Sequence, residues 1–160
     1  MKNESKKYTF KHHTKKMEIK LLEKEDISEE LQTQLSQLYL QLNSELRQLP
    51  LTSILEASDC IDIACCFEGT QLVGIAMMAN YKVVSGYKGM IEDVVVAEDQ
   101  RGKGIGRKLM ERLLDQARLR KLDDVLLFSG HHRTAAISLY KSLGFHLKSS
   151  GLYVKKMKTV

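Results

Sequence analysis

Apolar residues recur at three- and four-residue intervals through Ile27, Leu31, Leu35, Leu38, Leu42, Leu46 and Leu49, with polar residues between them. That period predicts one long amphipathic helix whose leucine stripe faces a core. It should stop at Pro50, which lacks an N–H and clashes with the preceding turn. Residues 53–58 add a short helical turn. Ile105, Leu109, Leu113 and Ala117, widened by Met110 and Leu114, predict a strong helix over 104–121. A third helix covers 134–143 and ends at Gly144, a residue suited to the left-handed position after a helix. Between the helices lie apolar runs of strand length. Residues 17–22 form the first, and 60–67 and 71–79 read as a hairpin through Glu68-Gly69-Thr70. Residues 81–88 are a loop or strand extension, and 89–96 is the next strand. Residues 125–128 are continuously apolar, as in a sheet covered on both faces. Residues 145–148 and 152–157 predict a closing hairpin around Ser149-Ser150-Gly151. The resulting order, β-α-(α)-β-β-β-α-β-α-β-β, predicts a single α/β domain with a mixed, mostly antiparallel sheet flanked by helices. A right-handed crossover through the 104–121 helix makes the strands carrying Val94-Val95-Val96 and Val125-Leu126-Leu127 parallel neighbours.

With 160 residues the chain suffices for one substantial core and is short for two. Its 43% hydrophobic and 28% charged content is that of an ordinary soluble protein, and no apolar run reaches membrane-spanning length. The lysine-rich start has no apolar signal-peptide core, so a cytoplasmic location is expected. Residues 1–16, which include His12 and His13, read as a basic tail, and 17–160 as the folded domain. Much of the net charge of +5 sits in that tail and in the last six residues. With no helix-turn-helix pattern, zinc spacing or interleaved aromatics, a nucleic acid partner is not expected. Cys60, Cys65 and Cys66 crowd one strand without Cys-x-x-Cys spacing, which points to reduced thiols and no bound metal.

The stretch richest in chemistry is the strand Val94-Val95-Val96, followed through a turn by Arg101-Gly102-Lys103-Gly104-Ile105-Gly106 and a helix. Free backbone N–H groups at a helix start, the macrodipole and the charges of Arg101, Lys103, Arg107 and Lys108 together suit a pyrophosphate. Glycines let the backbone approach it. A dinucleotide fingerprint would need Gly-x-Gly-x-x-Gly, and a P-loop would need Ser or Thr after Gly-Lys; neither is present. A plain glycine-rich turn that starts a helix is the alternative.

Arg101-x-x-Gly104-x-Gly106 resembles the acyl-coenzyme A loop of the GNAT superfamily of N-acetyltransferases. Ala136-x-x-x-Tyr140-x-x-x-Gly144-Phe145 resembles that superfamily's second signature, at the proper distance downstream. Ile91-Glu92-Asp93 is similar to a strand of its small-molecule members, including glucosamine-phosphate N-acetyltransferases. The resemblance runs from about Met17 to Met157 and implies the GNAT acyl-CoA N-acyltransferase fold, with acetyl-CoA as cosubstrate. Its thioester arm would lie where the two parallel strands splay. The implied cofactor-binding residues are Val94, Val95, Val96, Arg101, Gly102, Lys103, Gly104, Ile105, Gly106 and Arg107. Arg133 joins them, standing where many members place an asparagine, and would reach a phosphate or an anionic acceptor. Tyr140 would protonate the leaving thiolate. Strand alternation sends Glu92 and Asp93 to opposite faces. Glu92 is the expected base, directly or through water, while Asp93 would orient the loop; a structural ion pair is the bland role for either.

The resemblance thus implies transfer of acetyl to a primary amine, of a small molecule first, by direct attack in a ternary complex. A protein N-terminus or lysine as acceptor, and a non-catalytic acyl-CoA sensor, are the rival readings. A covalent route through Cys65 or Cys66 lacks an assignable histidine to activate the thiol. Residues 49–58, 81–89 and the closing hairpin should wall the acceptor site, and Lys82, Lys88 and Arg133 hint at an anionic acceptor. Strand edges in this fold often support dimers, which leaves room for a homodimer.

Overall fold

The structure, a computed structural model, describes residues 16–45, 47–56 and 60–157. They fall into two compact units that divide after Leu127. In the first, β1 (Met17–Leu21), β2 (Ile61–Glu68), β3 (Gln71–Val83), β4 (Gly86–Val96) and β5 (Asp124–Leu127) form one sheet in that order. Every pairing is antiparallel except β4 with β5, which is parallel. The mixed, mostly antiparallel sheet is therefore as the sequence predicts. Residues 81–88 belong to strands: β3 and β4 continue to a two-residue turn at Val84-Ser85.

Helices α1 (Glu29–Leu40) and α2 (Leu51–Glu56) cover one face and α3 (Ile105–Leu119) the other. Alternation sorts the strand residues. Ile63, Cys65, Ile75, Met77 and Val95 join Leu31, Leu35, Leu38, Leu51 and Leu55 in one core. On the other face a Cβ at Gly74 would lie 3.0 Å from Ile105 Cγ2 and 3.1 Å from Leu109 Cδ1. The absence of a side chain there lets the first turns of α3 press onto β3, which fixes where that helix begins.

The helix predicted over 27–49 is shorter: α1 ends at Leu40, and α2 is the short helical turn predicted at 53–58, found at Leu51–Glu56. Ser28 caps α1 by accepting the Leu31 N–H at 3.1 Å. The helix gives way to a turn in which Asn43 Oδ1 accepts the Glu45 N–H at 3.0 Å, the local bond with which asparagine competes against helical pairing. Gln32 Oε1 then accepts the Leu51 N–H at 2.8 Å and draws the chain back beside α1. Pro50 consequently precedes a helix instead of ending one, and Leu49 of the stripe is left exposed. Leu46, residues 57–59 and the tail over 1–15 lie outside the described residues.

β5 also differs from expectation. Among the described residues it pairs only with β4, and its own residues are half-buried or exposed, so it is an edge strand of this sheet. In the second unit the closing hairpin is not formed: no strand is found over 128–157, and Leu147, Leu152, Tyr153, Val154 and Met157 are exposed. A two-stranded hairpin is marginal without further strands or a packing partner, so the turn signal at Ser149-Ser150-Gly151 does not suffice.

The far end of α3 is anchored by charge. Arg120 donates Nε to Asp62 Oδ2 at 2.7 Å and Nη2 to Oδ1 at 2.8 Å, and Asn80 donates to Oδ2 at 2.7 Å. Asp62 is buried, so removing the guanidinium strands a carboxylate in the core. Arg120→Ala should cost about 2 kcal/mol or more in denaturant unfolding, with little recovered by Arg120→Lys, which cannot make the bidentate pair. Equal stability of Arg120→Ala and wild type would contradict this.

Candidate active site

The site begins with an irregularity in β4. Ile75 faces Val95 and Met77 faces Glu92, so two residues, Asp93 and Val94, stand against the single Ala76. Asp93 adopts φ 52°, the left-handed conformation that aspartate tolerates better than most side chains. This is a β-bulge, which bends the strand and re-aims side chains. Alternation, which separates Glu92 from Asp93 in a regular strand, fails here. The register puts Glu92 opposite Met77 of the α1-side core, and Asp93 lines a cavity with Met77 and Tyr39 on the same side. The two carboxylates thus share a face. Glu92, though accessible to solvent, is raised above the ordinary carboxylate range, first by desolvation and then by the negative charge of Asp93.

Beyond the bulge β4 leaves its other neighbour. Pairing with β5 ends at Ile91 opposite Leu127, so from Glu92 to Val96 the β5-facing edge of β4 has no strand partner among the described residues. Val94, Val95 and Val96 lie on this opened stretch.

After a 3-10 turn at Glu98–Gln100 comes the glycine loop. Gly102 and Gly104 both take φ 78°, and a Cβ on either would meet nothing within 4 Å. Gly104 is the N-cap of α3 and its carbonyl accepts the Lys108 N–H at 3.2 Å. No backbone acceptor is found for the N–H groups of Gly102, Lys103, Gly104, Ile105 or Gly106 among the described residues. Five successive donors therefore lie open at the positive end of a 15-residue helix. Of the surrounding cations, Arg101 turns back to the Val96 carbonyl at 3.1 Å and to Glu98, and Lys103 donates to Gln100 Oε1 at 2.7 Å. Arg107 pairs loosely with Glu111 at 3.7 Å. These surface contacts are weak enough to be exchanged for a phosphate.

In the second unit, α4 (Thr134–Ser142) ends in a Schellman motif. The Phe145 N–H donates to the Tyr140 carbonyl at 3.0 Å and the Gly144 N–H to the Lys141 carbonyl at 3.1 Å, with Gly144 at φ 92°. The rings of Tyr140 and Phe145 meet edge to face with centroids 6.2 Å apart. The spacing Tyr-x-x-x-Gly-Phe is thus that of a helix end which holds one ring against the next. Burial pushes the Tyr140 hydroxyl above the ordinary tyrosine range, partly opposed by the positive charge of Arg133, so it keeps its proton at neutral pH.

The chain matches the Acetyltransferase (GNAT) family over residues 24–145. It belongs to that family. Among relatives of this GNAT chain is an L-methionine sulfoximine/L-methionine sulfone acetyltransferase from Pseudomonas paraeruginosa, 32% identical over 78 residues. That match covers 48% of this chain and 45% of the relative, so the chain aligns with under half the length of this curated relative. Its fold is shared with glucosamine-6-phosphate N-acetyltransferase from Arabidopsis thaliana, at TM-score 0.71 and 23% identity over 88% of this chain and 98% of that one. A predicted acetyltransferase from Clostridium acetobutylicum, solved with acetyl-CoA, superposes at TM-score 0.67 and 19% identity, covering 88% and 96%.

Three features of this GNAT domain escape the sequence reading. Tyr39 and the cavity beneath it are among them, because a tyrosine between two leucines of a stripe gives no sign of facing a carboxylate 54 positions away. The third concerns the cations: Lys82 lies over the Tyr87 ring and Lys88 pairs with Asp124 at 3.0 Å, so neither lines that cavity. No cluster of metal-binding side chains is found among the described residues, nor any helix long and apolar enough to cross a membrane.

Proposed function

We propose that this chain transfers acetyl from acetyl-CoA to the primary amine of a small molecule, by direct attack while both are bound. The observation that carries this is the run of open N–H donors from Gly102 to Gly106, next in the chain to the unpaired edge of β4. The first would hold the pyrophosphate. The second leaves backbone around Val94, Val95 and Val96 free to bond the acyl arm and, at one N–H, the oxyanion of attack. In this reading Ile105 and Arg107 complete the cofactor-binding turn with Arg101 and Lys103, and Arg133 reaches a phosphate. Glu92 takes a proton from the ammonium, directly or through water, and Tyr140 gives one to the departing thiolate. A thiol-based covalent route is disfavoured: Cys65 is buried and its thiol is pushed up to about 12, so almost no thiolate exists at neutral pH. The free thiols fit a reducing compartment such as the cytoplasm. A screen of amine acceptors, read as thiol release from acetyl-CoA, tests the activity; no release with any amine would refute it.

Glu92 gives this reading a pH signature. Its carboxylate form grows as pH rises through a pKa lifted above the usual carboxylate range, whereas the amine stays protonated until far higher pH. Glu92→Gln should therefore be most defective between those two values, at mildly acidic to neutral pH, and recover partly in alkali. The rising limb of kcat/KM should be lost with it. If Asp93→Asn loses that limb and Glu92→Gln keeps it, the roles are reversed; if both keep it, water removes the proton.

A further inference from the structure

The break between α1 and α2 opens a cavity of about 150 Å³ lined by Leu35, Tyr39, Leu49, Ile54 and Met77, with Asp93 and Arg47 as its charged residues. An interior void of about that size holds a benzene-sized body. Most of the wall is apolar, so a ligand's bulk would be a branched or aromatic hydrocarbon. The two charges are of opposite sign. Asp93 sits on the bulge, one residue before Val94 and the opened stretch of β4. Arg47 is exposed on the loop between α1 and α2, and no hydrogen bond or ion pair engages it among the described residues. Tyr39, on α1, is half-buried; its hydroxyl meets Met77 Sδ at 3.3 Å and feels the charge of the Asp93 carboxylate in the same cavity wall. Burial and the Asp93 charge hold that hydroxyl protonated, so it can act on Asp93 only as a donor.

We infer that this cavity is the acceptor subsite and that it takes a small zwitterion, an apolar amino acid in chemical class. Asp93 receives the ammonium, Arg47 the carboxylate, and the hydrocarbon side chain fills the space beneath α1. Tyr39 is a positioning residue: it stands beside Asp93 in the cavity wall with its hydroxyl held at Met77 Sδ, and the left-handed backbone of the bulge fixes where the Asp93 carboxylate starts. The inference rests on the acetyl-transfer reading above and adds the class of acceptor to it.

The test uses paired acceptors that share a hydrocarbon body and differ in the anion: L-leucine with 3-methylbutylamine, and L-phenylalanine with 2-phenylethylamine. Wild type should show a KM at least about tenfold lower for the amino acid of each pair, the value of one charge-assisted arginine contact. Arg47→Gln should raise the amino-acid KM to that of the plain amine, so that the ratio within each pair falls to about one. Asp93→Asn should raise the KM of both members. Tyr39→Phe should raise both by a smaller factor, with the Kd for acetyl-CoA unaltered in a folded variant. The inference is overturned if wild type turns over the plain amines as well as the amino acids, or if it acetylates only amines outside both pairs. It is equally overturned if Arg47→Gln changes both members of a pair alike. In each of those outcomes acetyl transfer itself survives. If acetyl-CoA binds but no amine of any class is acetylated, the reading beneath falls and the inference with it.

Discussion

Calorimetric titration of coenzyme A into a Gly104→Val variant should show an affinity loss of about a hundredfold. At φ 78° the backbone of Gly104 occupies a region that a β-branched side chain adopts only under strain. The added Cβ meets no protein atom within 4 Å, so the branched side chain stands in open space on the donor loop itself. A phosphate held by N–H groups from Gly102 to Gly106 would be pushed away from them. Each charge-assisted bond lost is worth about 1.5–3 kcal/mol, so losing one or two gives the stated factor. Since Gly104 lies on an exposed loop with the core beneath α3 intact, the variant should fold, with thermal unfolding shifted by only a few degrees. A folded Gly104→Val protein with wild-type affinity would remove the pyrophosphate from this loop.

Tyr140→Phe should slow acetyl transfer by about a hundredfold or more while the Kd for acetyl-CoA changes little. The substitution removes one oxygen. It keeps the ring that packs edge to face on Phe145, and it keeps the Schellman bonds, which are made by the backbone. What disappears is a hydroxyl that burial keeps protonated, and general acid catalysis by such a group is typically worth about 10²–10⁴-fold. The loss should appear in kcat on an acceptor for which chemistry limits the rate, and it should shrink when the leaving thiol has a lower pKa. Wild-type turnover by Tyr140→Phe would reduce the residue to a packing role.

What sequence could and could not reveal divides along physical lines. The order of the first five strands, the crossover through α3 and the open donors of the glycine loop were legible, because each follows from local period or from glycine placement. The Schellman end of α4 was legible for the same reason: Gly144 marks it. The early end of the helix predicted over 27–49 was not, although Asn43 and Ser44 were visible, because Leu42 and Leu49 keep the helical spacing after the helix has stopped. The shared face of Glu92 and Asp93 was hidden by the opposite problem. Alternation is a rule for strands in step with their neighbours, and only the pairing of β4 with β3 reveals the surplus residue. Tyr39 was unreadable because its partner comes from a distant strand.

That surplus residue separates what the sheet needs from what the site needs. If Asp93 were deleted, Val94 would fall opposite Ala76, and every side chain before and after would keep its present face. The alternation of the core would be preserved, and β4 would gain a regular ladder while shedding a left-handed aspartate and the charge it sets beside Tyr39. Most single-residue deletions within a strand invert everything beyond them and are removed because the protein fails to fold. A deletion here would pass that filter, so a shortened β4 that folds and no longer transfers acetyl would assign the surplus residue to the proposed chemistry and not to the sheet.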